Sequence, residues 1–214
     1  MYCYAMVRTK DPAVRAMLIE RAAQMLRERQ PVTLRSVVAG TGVSTMAVYT
    51  YFGGMDGLWR AMRQEGFTRL AGRLETVRPS RDAVRDLAAL GAAYLANALA
   101  GPDLYRVMFD AGFDLEDPAA ADETLHRLVH TVERARTAGR FRDDVDPPTV
   151  ATQIWTIGHG LASLATAGPL PRSALAHGAP MLTALFVHCG DDPGRCRRSV
   201  ELGWRTETLA AEGD

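Results

Sequence analysis

The chain has 214 residues, 47% of them hydrophobic, with 25 basic and 25 acidic side chains and no net charge. That length can bury a substantial core, that apolar content excludes disorder, and the charge balance excludes a generic polyanion binder. No apolar run reaches the ~20 residues of a membrane-spanning helix, and Met1 to Lys10 lacks the apolar block of a secretory leader, so the sequence reads as cytoplasmic.

Asp-Pro recurs at Asp11-Pro12, Asp117-Pro118, Asp146-Pro147 and Asp192-Pro193, each pairing a good helix N-cap with a residue suited to the first helical turn. Apolar residues follow at helical spacing, as in Val14, Met17, Leu18, Ala22, Met25 and Leu26, and no segment alternates as a strand would. The class is therefore all-α. Helices are predicted over 12–29, 33–40, 44–51, 55–77, 81–100, 102–111, 119–138, 148–167, 180–189 and 193–210. Pro180 either opens the ninth of these or kinks one that begins near Arg172, because an interior proline loses a backbone hydrogen bond. Residues 1–52 carry seven basic and three acidic groups against eighteen and twenty-two in the remainder, so a basic head precedes a mildly acidic body. Cys3, Cys189 and Cys196 are odd in number and at no common metal spacing, which suits a reducing compartment, with thiols packed as small hydrophobes. No cofactor or metal is expected.

Residues 33–52 have the pattern of two short helices joined by a tight turn. Thr33 can cap the first, Leu34, Val37 and Val38 give it an apolar face, and Ala39 is small enough for a close crossing. Gly42 supplies a positive φ, Val43 fills the gap, and Ser44 can cap the second helix. Met46 then stands at the exposed helix start, while Ala47, Val48 and Phe52 pack inward. The alternative is an ordinary helical hairpin with no role toward DNA.

This segment, with Val43-Ser44, Tyr49 and Tyr51-Phe52 and the following Gly53-Gly54-Met55-Asp56-Gly57-Leu58, resembles the N-terminal module of the TetR (tetracycline-repressor-like) family of transcriptional regulators. The resemblance implies a three-helix DNA-binding domain at 1–54 and a helical effector-binding and dimerisation domain at 55–214, joined by a long helix. In that module the second helix of the pair enters the major groove. Carried over by position, Ser44, Thr45 and Met46 would read base edges, and Thr33, Arg35, Tyr49, Thr50 and Tyr51 would hold phosphates. Where the family commonly places a lysine at the start of the fourth helix, this sequence has Gly54-Met55-Asp56, leaving backbone N–H groups as the substitute.

The body carries an aromatic set suited to an apolar cavity: Tyr94, Leu95, Tyr105, Met108, Phe109, Phe113, Leu128, Val132, Trp155 and His159. Each singly reads as core; together they are the candidate effector pocket. Trp155, His159 and Gly160, with Leu104 to Phe109, resemble the effector half of family members with a Trp-xxx-His-Gly signature, which implies a small apolar or amphipathic ligand and names no compound. The helix 148–167 is apolar nearly all round, so it needs neighbours on several sides. Ile154, Ile157, Gly158, Leu161 and Leu164, with Leu182, Leu185 and Phe186, are the candidate homodimer interface. The function implied is a repressor that leaves a palindromic operator in double-stranded DNA when its ligand binds. Two other readings stand: a helical enzyme or metal-binding protein using His126 and His130, which lie four apart, and a scaffold that binds DNA without sequence preference.

Overall fold

Every regular element is helical among the residues that the computed structural model describes, 11–110, 112, 114–117 and 119–204. The Asp-Pro steps open helices as the sequence requires. The Asp11 carboxylate accepts from the Ala13 N–H at 2.9 Å at the head of α1 (Pro12–Arg27), and Asp117 accepts from Ala119 at 3.0 Å at the head of α7 (Ala119–Thr137). Asp146 does so for α8 (Pro147–Thr166) and Asp192 for α10 (Pro193–Gly203), bonding Thr149 and Arg195 at 3.0 and 2.8 Å. Between them lie α2 (Leu34–Val38), α3 (Met46–Phe52), α4 (Met55–Glu75), α5 (Ala83–Ala100) and α6 (Pro102–Met108).

The ninth helix differs from both sequence alternatives. A 3-10 turn at Arg172–His177 runs directly into α9 (Gly178–His188), so Pro180 sits in the first turn of α9, where its missing N–H costs no helical bond. The last helix runs to Gly203, where the Trp204 N–H bonds the Val200 carbonyl at 2.7 Å; positions 205–210 of the expected span lie outside the described residues.

Two hydrophobic cores form. The first joins Leu18, Ile19, Ala22 and Met25 of α1, Val37, Val48 and Phe52 of α2 and α3, and Leu58, Ala61 and Met62 from the first half of α4. The second fills the body with Leu70 and Leu74 of α4, the inner faces of α5, α7 and α8, and Leu182, Phe186 and Val200 from the last two helices. Helix α4 thus belongs to both. So does α6, which sends Leu104 into the first core and Tyr105 and Met108 into the second. Among the described helices none is long and apolar enough to cross a membrane. Cys189 and Cys196 are buried free thiols, and burial pushes Cys196 up to about 12, so it stays a packed, protonated side chain.

A buried ion network closes the body. Arg140, 2% exposed in the α7–α8 connection, donates through Nε and one terminal nitrogen to both oxygens of Asp191, each at 2.6 Å. Its other terminal nitrogen donates to Asp82, the N-cap of α5, at 2.7 Å. Ser199 of α10 completes the ring, donating to Asp82 at 2.6 Å and accepting from Arg140 at 3.1 Å. The bidentate geometry suits guanidinium, and every ion is hydrogen-bonded, which a buried charge requires. Arg140→Met should therefore strand two carboxylates and destabilise the fold by roughly 3–5 kcal/mol in urea unfolding, whereas a change under about 1 kcal/mol would show the network to be dispensable.

Candidate functional site

The head presents a short helix on a buried base. Ala47, Val48 and Phe52 turn inward, leaving Met46 64% and Tyr49 50% exposed on the opposite side of α3. Met46 and Tyr49 lie three residues apart, hence side by side on one helix face, and together offer a small exposed apolar patch to a partner surface. Gly42 adopts φ +78° in the turn before α3, a conformation costly for a residue with a Cβ, and Val43 packs against the head core.

The start of α3 corrects the sequence reading. Ser44 is not a side-chain cap: Thr45 occupies the N-cap with helical φ and ψ and makes no capping bond. The turn is tied instead through the backbone, Ala47 N–H to the Ser44 carbonyl at 2.9 Å and Val48 N–H to that of Thr45 at 3.1 Å. The hydroxyls of Ser44 and Thr45 are consequently left for an outside partner. Ala39 is also corrected, because it lies exposed at the end of α2 instead of at a close crossing. The close approach comes at Gly57, where an added Cβ would fall 1.6 Å from the Phe52 carbonyl oxygen. Only a residue without a side chain lets α4 leave α3 at this angle.

The remaining candidates around α3 divide. Arg35 is exposed, and Thr33 is exposed but already engaged, its hydroxyl accepting from the Ser36 N–H at 3.2 Å to cap α2. Thr50 gives its proton to the Met46 carbonyl at 2.8 Å. The Tyr51 oxygen accepts from the Asp11 N–H at 3.0 Å, which docks the start of α1 and leaves the phenol's own proton to donate. At α4 the helix begins at Met55 after Gly54, with Asp56 in its first turn and no basic residue there.

In the body, Tyr94 of α5, Tyr105 of α6 and Trp155 and His159 of α8 converge. The two phenol oxygens are 2.9 Å apart, Tyr105 is 2.8 Å and Tyr94 3.2 Å from His159 Nδ1, and Trp155 Nε1 donates to Tyr94 at 3.3 Å. Nε2 of the histidine is 3.3 Å from the Ser163 hydroxyl. One proton arrangement satisfies every donor: Trp155 to Tyr94, Tyr94 to Tyr105, Tyr105 to a neutral His159, and His159 to Ser163. Burial pushes both phenols up and the imidazole down, so all three groups remain neutral around pH 7. The Phe109 ring packs edge-on to the imidazole at 4.4 Å between centroids.

This polar string separates two spaces. On one side a narrow cavity of about 20 Å³ is lined by Leu74, Leu90, Leu128, Ile154, Tyr94 and Trp155, with Thr124 and Arg127 contributed by α7. On the other an open cleft of about 500 Å³ lies between head and body, where Leu26 of α1 and Trp59 of α4 face Tyr105, Phe109, His159 and Ser163. Tyr94, Tyr105, Phe109, Leu128, Trp155 and His159 therefore line one space or the other. Leu95, Met108 and Val132 line neither; each is at most 1% exposed in the core, so these three are withdrawn as pocket residues. Phe113 lies outside the described residues. Thr124, Arg127 and Ser163 were not anticipated, although Thr124, Arg127 and Leu128 share a helix face at the spacing that makes neighbours.

The candidate interface also divides. Ile154, Gly158, Leu182 and Phe186 are buried in the chain's own core, Gly158 against the Tyr94 ring, and Leu161 is only 7% exposed, so these five cannot supply the outer face. What α8 and α9 leave outside is Ile157 and Leu185, half-buried, and Leu164 and Met181, each 43% exposed. His126 and His130 both border a groove between α5 and α7, and no group of three potential metal ligands occurs among the described residues.

Residues 87–186 match the family described as "Tetracyclin repressor-like, C-terminal domain". No curated protein matches the sequence. Among solved structures, the chain is similar to a protein of unknown function from Rhodococcus sp. RHA1, with 23% identity, a TM-score of 0.69, and coverage of 86% of this chain and 100% of that one. It is similar to the TetR family protein CprB from S. coelicolor A3(2), at 24% identity and TM-score 0.67, covering 91% and 98% of the two chains. A third likeness is to PfmR, a TetR family transcriptional regulator from Thermus thermophilus, at 18% identity and TM-score 0.63, covering 77% and 96%.

The histidine gives this site a measurable signature. Because its folded value lies below the ordinary 6.5, the folded state binds fewer protons than the unfolded chain, so the neutral ring's contribution to stability is complete above pH 6.5 and is lost as pH falls toward the lowered value. Melting temperature should decline across that window in the parent protein, and the decline should be shallower in His159→Phe, each protein being compared with its own value at about pH 8. Equal slopes in the two proteins would remove the histidine from this role.

Proposed function

We propose that this chain is a member of the tetracycline-repressor-like family, a DNA-binding transcriptional regulator that works as a homodimer and loses its operator when a small ligand enters the helical body. The observation that carries the reading is α3: a short helix whose exposed side offers Met46, Tyr49 and two uncommitted hydroxyls, Ser44 and Thr45, above a fully packed base. Such a helix fits the major groove, with its N-terminal residues at base edges. Arg35, Tyr49 and the free proton of Tyr51 are then phosphate contacts, and binding should weaken steeply with salt. We assign the DNA-binding unit to residues 1–54 and the ligand and dimer unit to 55–214. Two such units paired about a two-fold axis would set their α3 helices about 34 Å apart, one turn of DNA.

The coupling route follows from contacts already described. A ligand that parts Tyr94 from Trp155 in the inner cavity disturbs the string through which Tyr94 holds Tyr105, and Tyr105 is on α6. Helix α6 is locked to α4 where an added Cβ on Gly66 would meet Met108 at 2.1 Å and where Arg63 Nε donates to the Met108 carbonyl at 2.9 Å. Movement of α6 is thus movement of α4, whose other end builds the head core. Only a ligand with unequal affinity for the two head spacings can drive the change.

Tyr49→Ala should weaken binding to a selected operator fragment roughly tenfold in a gel-shift titration while leaving the sedimentation coefficient unchanged; undiminished affinity would take Tyr49 out of the phosphate-contacting set. Fragments retained by the purified protein should share a palindrome, and retention without common sequence would instead favour a scaffold. Leu164→Glu combined with Met181→Glu should convert the dimer to monomers in analytical ultracentrifugation, since two buried charges per subunit would face each other across the two-fold axis. An intact dimer would place the interface elsewhere.

A further inference from the structure

Most threonine hydroxyls in these helices behave alike. Thr131, Thr152, Thr156, Thr166 and Thr183 each donate to the carbonyl one turn earlier, at 2.7 to 2.9 Å. Thr124 does not. It is 6% exposed, lines the inner cavity, and its hydroxyl has no hydrogen-bond partner. A buried hydroxyl left unpaired is destabilising, so a residue held in this state at a cavity wall is a donor awaiting an acceptor.

Arg127 stands three residues further on, on the same helix face. It borders both the inner cavity and the outer groove of about 450 Å³ between α5 and α7. Its guanidinium makes one long bond, 3.5 Å to the Leu74 carbonyl, and forms no ion pair among the described residues. Neighbouring arginines contrast with it: Arg134 is paired with Asp86 at 3.0 Å, and Arg140 with two aspartates. The groove's buried carboxylate, Asp86, is therefore already neutralised, and Glu123 stands at the exposed rim. Beyond this pair the cavity wall is apolar, with Leu74, Leu90, Leu128 and Ile154.

A cation with an unused fork, an unpaired hydroxyl one helical turn away and a slender apolar cavity behind them define a ligand. We infer that the effector of this protein is a monocarboxylate amphiphile with a slim, unbranched apolar chain. It enters by the α5–α7 groove, its carboxylate accepting from Arg127 and Thr124 and its chain directed at Trp155 and Tyr94. The carboxylate supplies what both donors lack, and planar bidentate pairing is the geometry in which arginine is strongest. The apolar wall suits an alkyl chain, and because the space of about 20 Å³ holds little more than one water molecule, the chain must widen it by parting Tyr94 from Trp155 as it enters. Contact at Trp155 and Tyr94 is also contact with the string that leads to α6. The inference rests on the reading of this half as effector-binding, and it specifies the chemistry of that site.

Calorimetric titration of the purified protein with butanoate, hexanoate and octanoate, and with octanol and methyl octanoate as uncharged controls, tests it. Affinity should rise with chain length through the acids, and octanoate should bind at least about tenfold more tightly than either control. Arg127→Met should erase that advantage while leaving octanol binding unchanged; Arg127→Lys should restore part of it, and Thr124→Val should weaken octanoate severalfold. Thermal melts verify that the variants fold, and Thr124→Val, which preserves shape, supplies the readout if Arg127→Met does not. Octanoate should also quench or shift Trp155 emission, read as the difference from Trp155→Phe. Octanol binding as well as octanoate, indifference to Arg127, or no binding by any acid would overturn the inference. Retention of DNA fragments by the ligand-free protein is measured separately: operator binding without acid binding rejects this ligand class alone, and acid binding without DNA binding rejects the regulator reading.

Discussion

A single rigid helix buried in two different cores is the constraint from which the behaviour of this molecule follows. Helix α4 contributes Leu58, Ala61 and Met62 to the head and Leu70 and Leu74 to the body, with no break in its 21 residues. Close-packed interiors do not deform continuously, so the head cannot reorient unless α4 tilts as a unit. Helix α6 is the only other described segment with buried side chains in both cores, through Leu104 on one side and Tyr105 and Met108 on the other. Head and body are therefore connected by two parallel levers and not by a flexible linker. A small displacement at Tyr105 becomes a displacement of everything N-terminal to Gly66.

The string from Trp155 to Ser163 suits that lever because its direction matters. Each hydroxyl and ring nitrogen has one donor and one acceptor role assigned by its neighbour, so altering one member at the cavity end changes the demand at every later one. A chain of neutral groups in a partly buried setting can be rearranged without moving a net charge. A salt bridge at the same place would hold one state more rigidly. Arg140 shows the contrast: there a buried guanidinium is ion-paired with two aspartates.

The sequence discloses local features far better than convergent ones. The paired helices of the head, Gly42, and the Asp-Pro caps are legible because their causes lie within a few residues. Ser44 misleads because capping by serine and a backbone-tied first turn look the same in sequence, and the close crossing falls to Ala39 on paper because nothing in the string of letters announces that Gly57 meets the Phe52 carbonyl. In the body, Tyr94, Tyr105, Trp155 and His159 stand out as unusual residue types spread over three helices. Leu95, Met108 and Val132 do not separate from them, since a core residue and a pocket residue have the same chemistry and differ only in whether space lies beside them. Thr124 and Arg127 are hidden by the opposite rule, a polar pair on an amphipathic helix reading as a solvated face. Ile154, Gly158 and Leu161 drop out of the outer face because α8 is apolar all round and the sequence does not tell which apolar stripe faces its own chain.

The ion network at Arg140 has a consequence for the order in which the molecule is made. Its partners lie 58, 51 and 59 residues away along the chain, and the Ser199 to Asp82 bond spans 117. The head core, by comparison, is complete once Leu104 is available. A chain emerging from the ribosome N-terminus first can thus assemble its head while the body still waits for its last helix, since distant contacts close late and local ones early. On the function proposed above, the nascent protein would acquire the means to grip nucleic acid before it acquires the means to be told to let go.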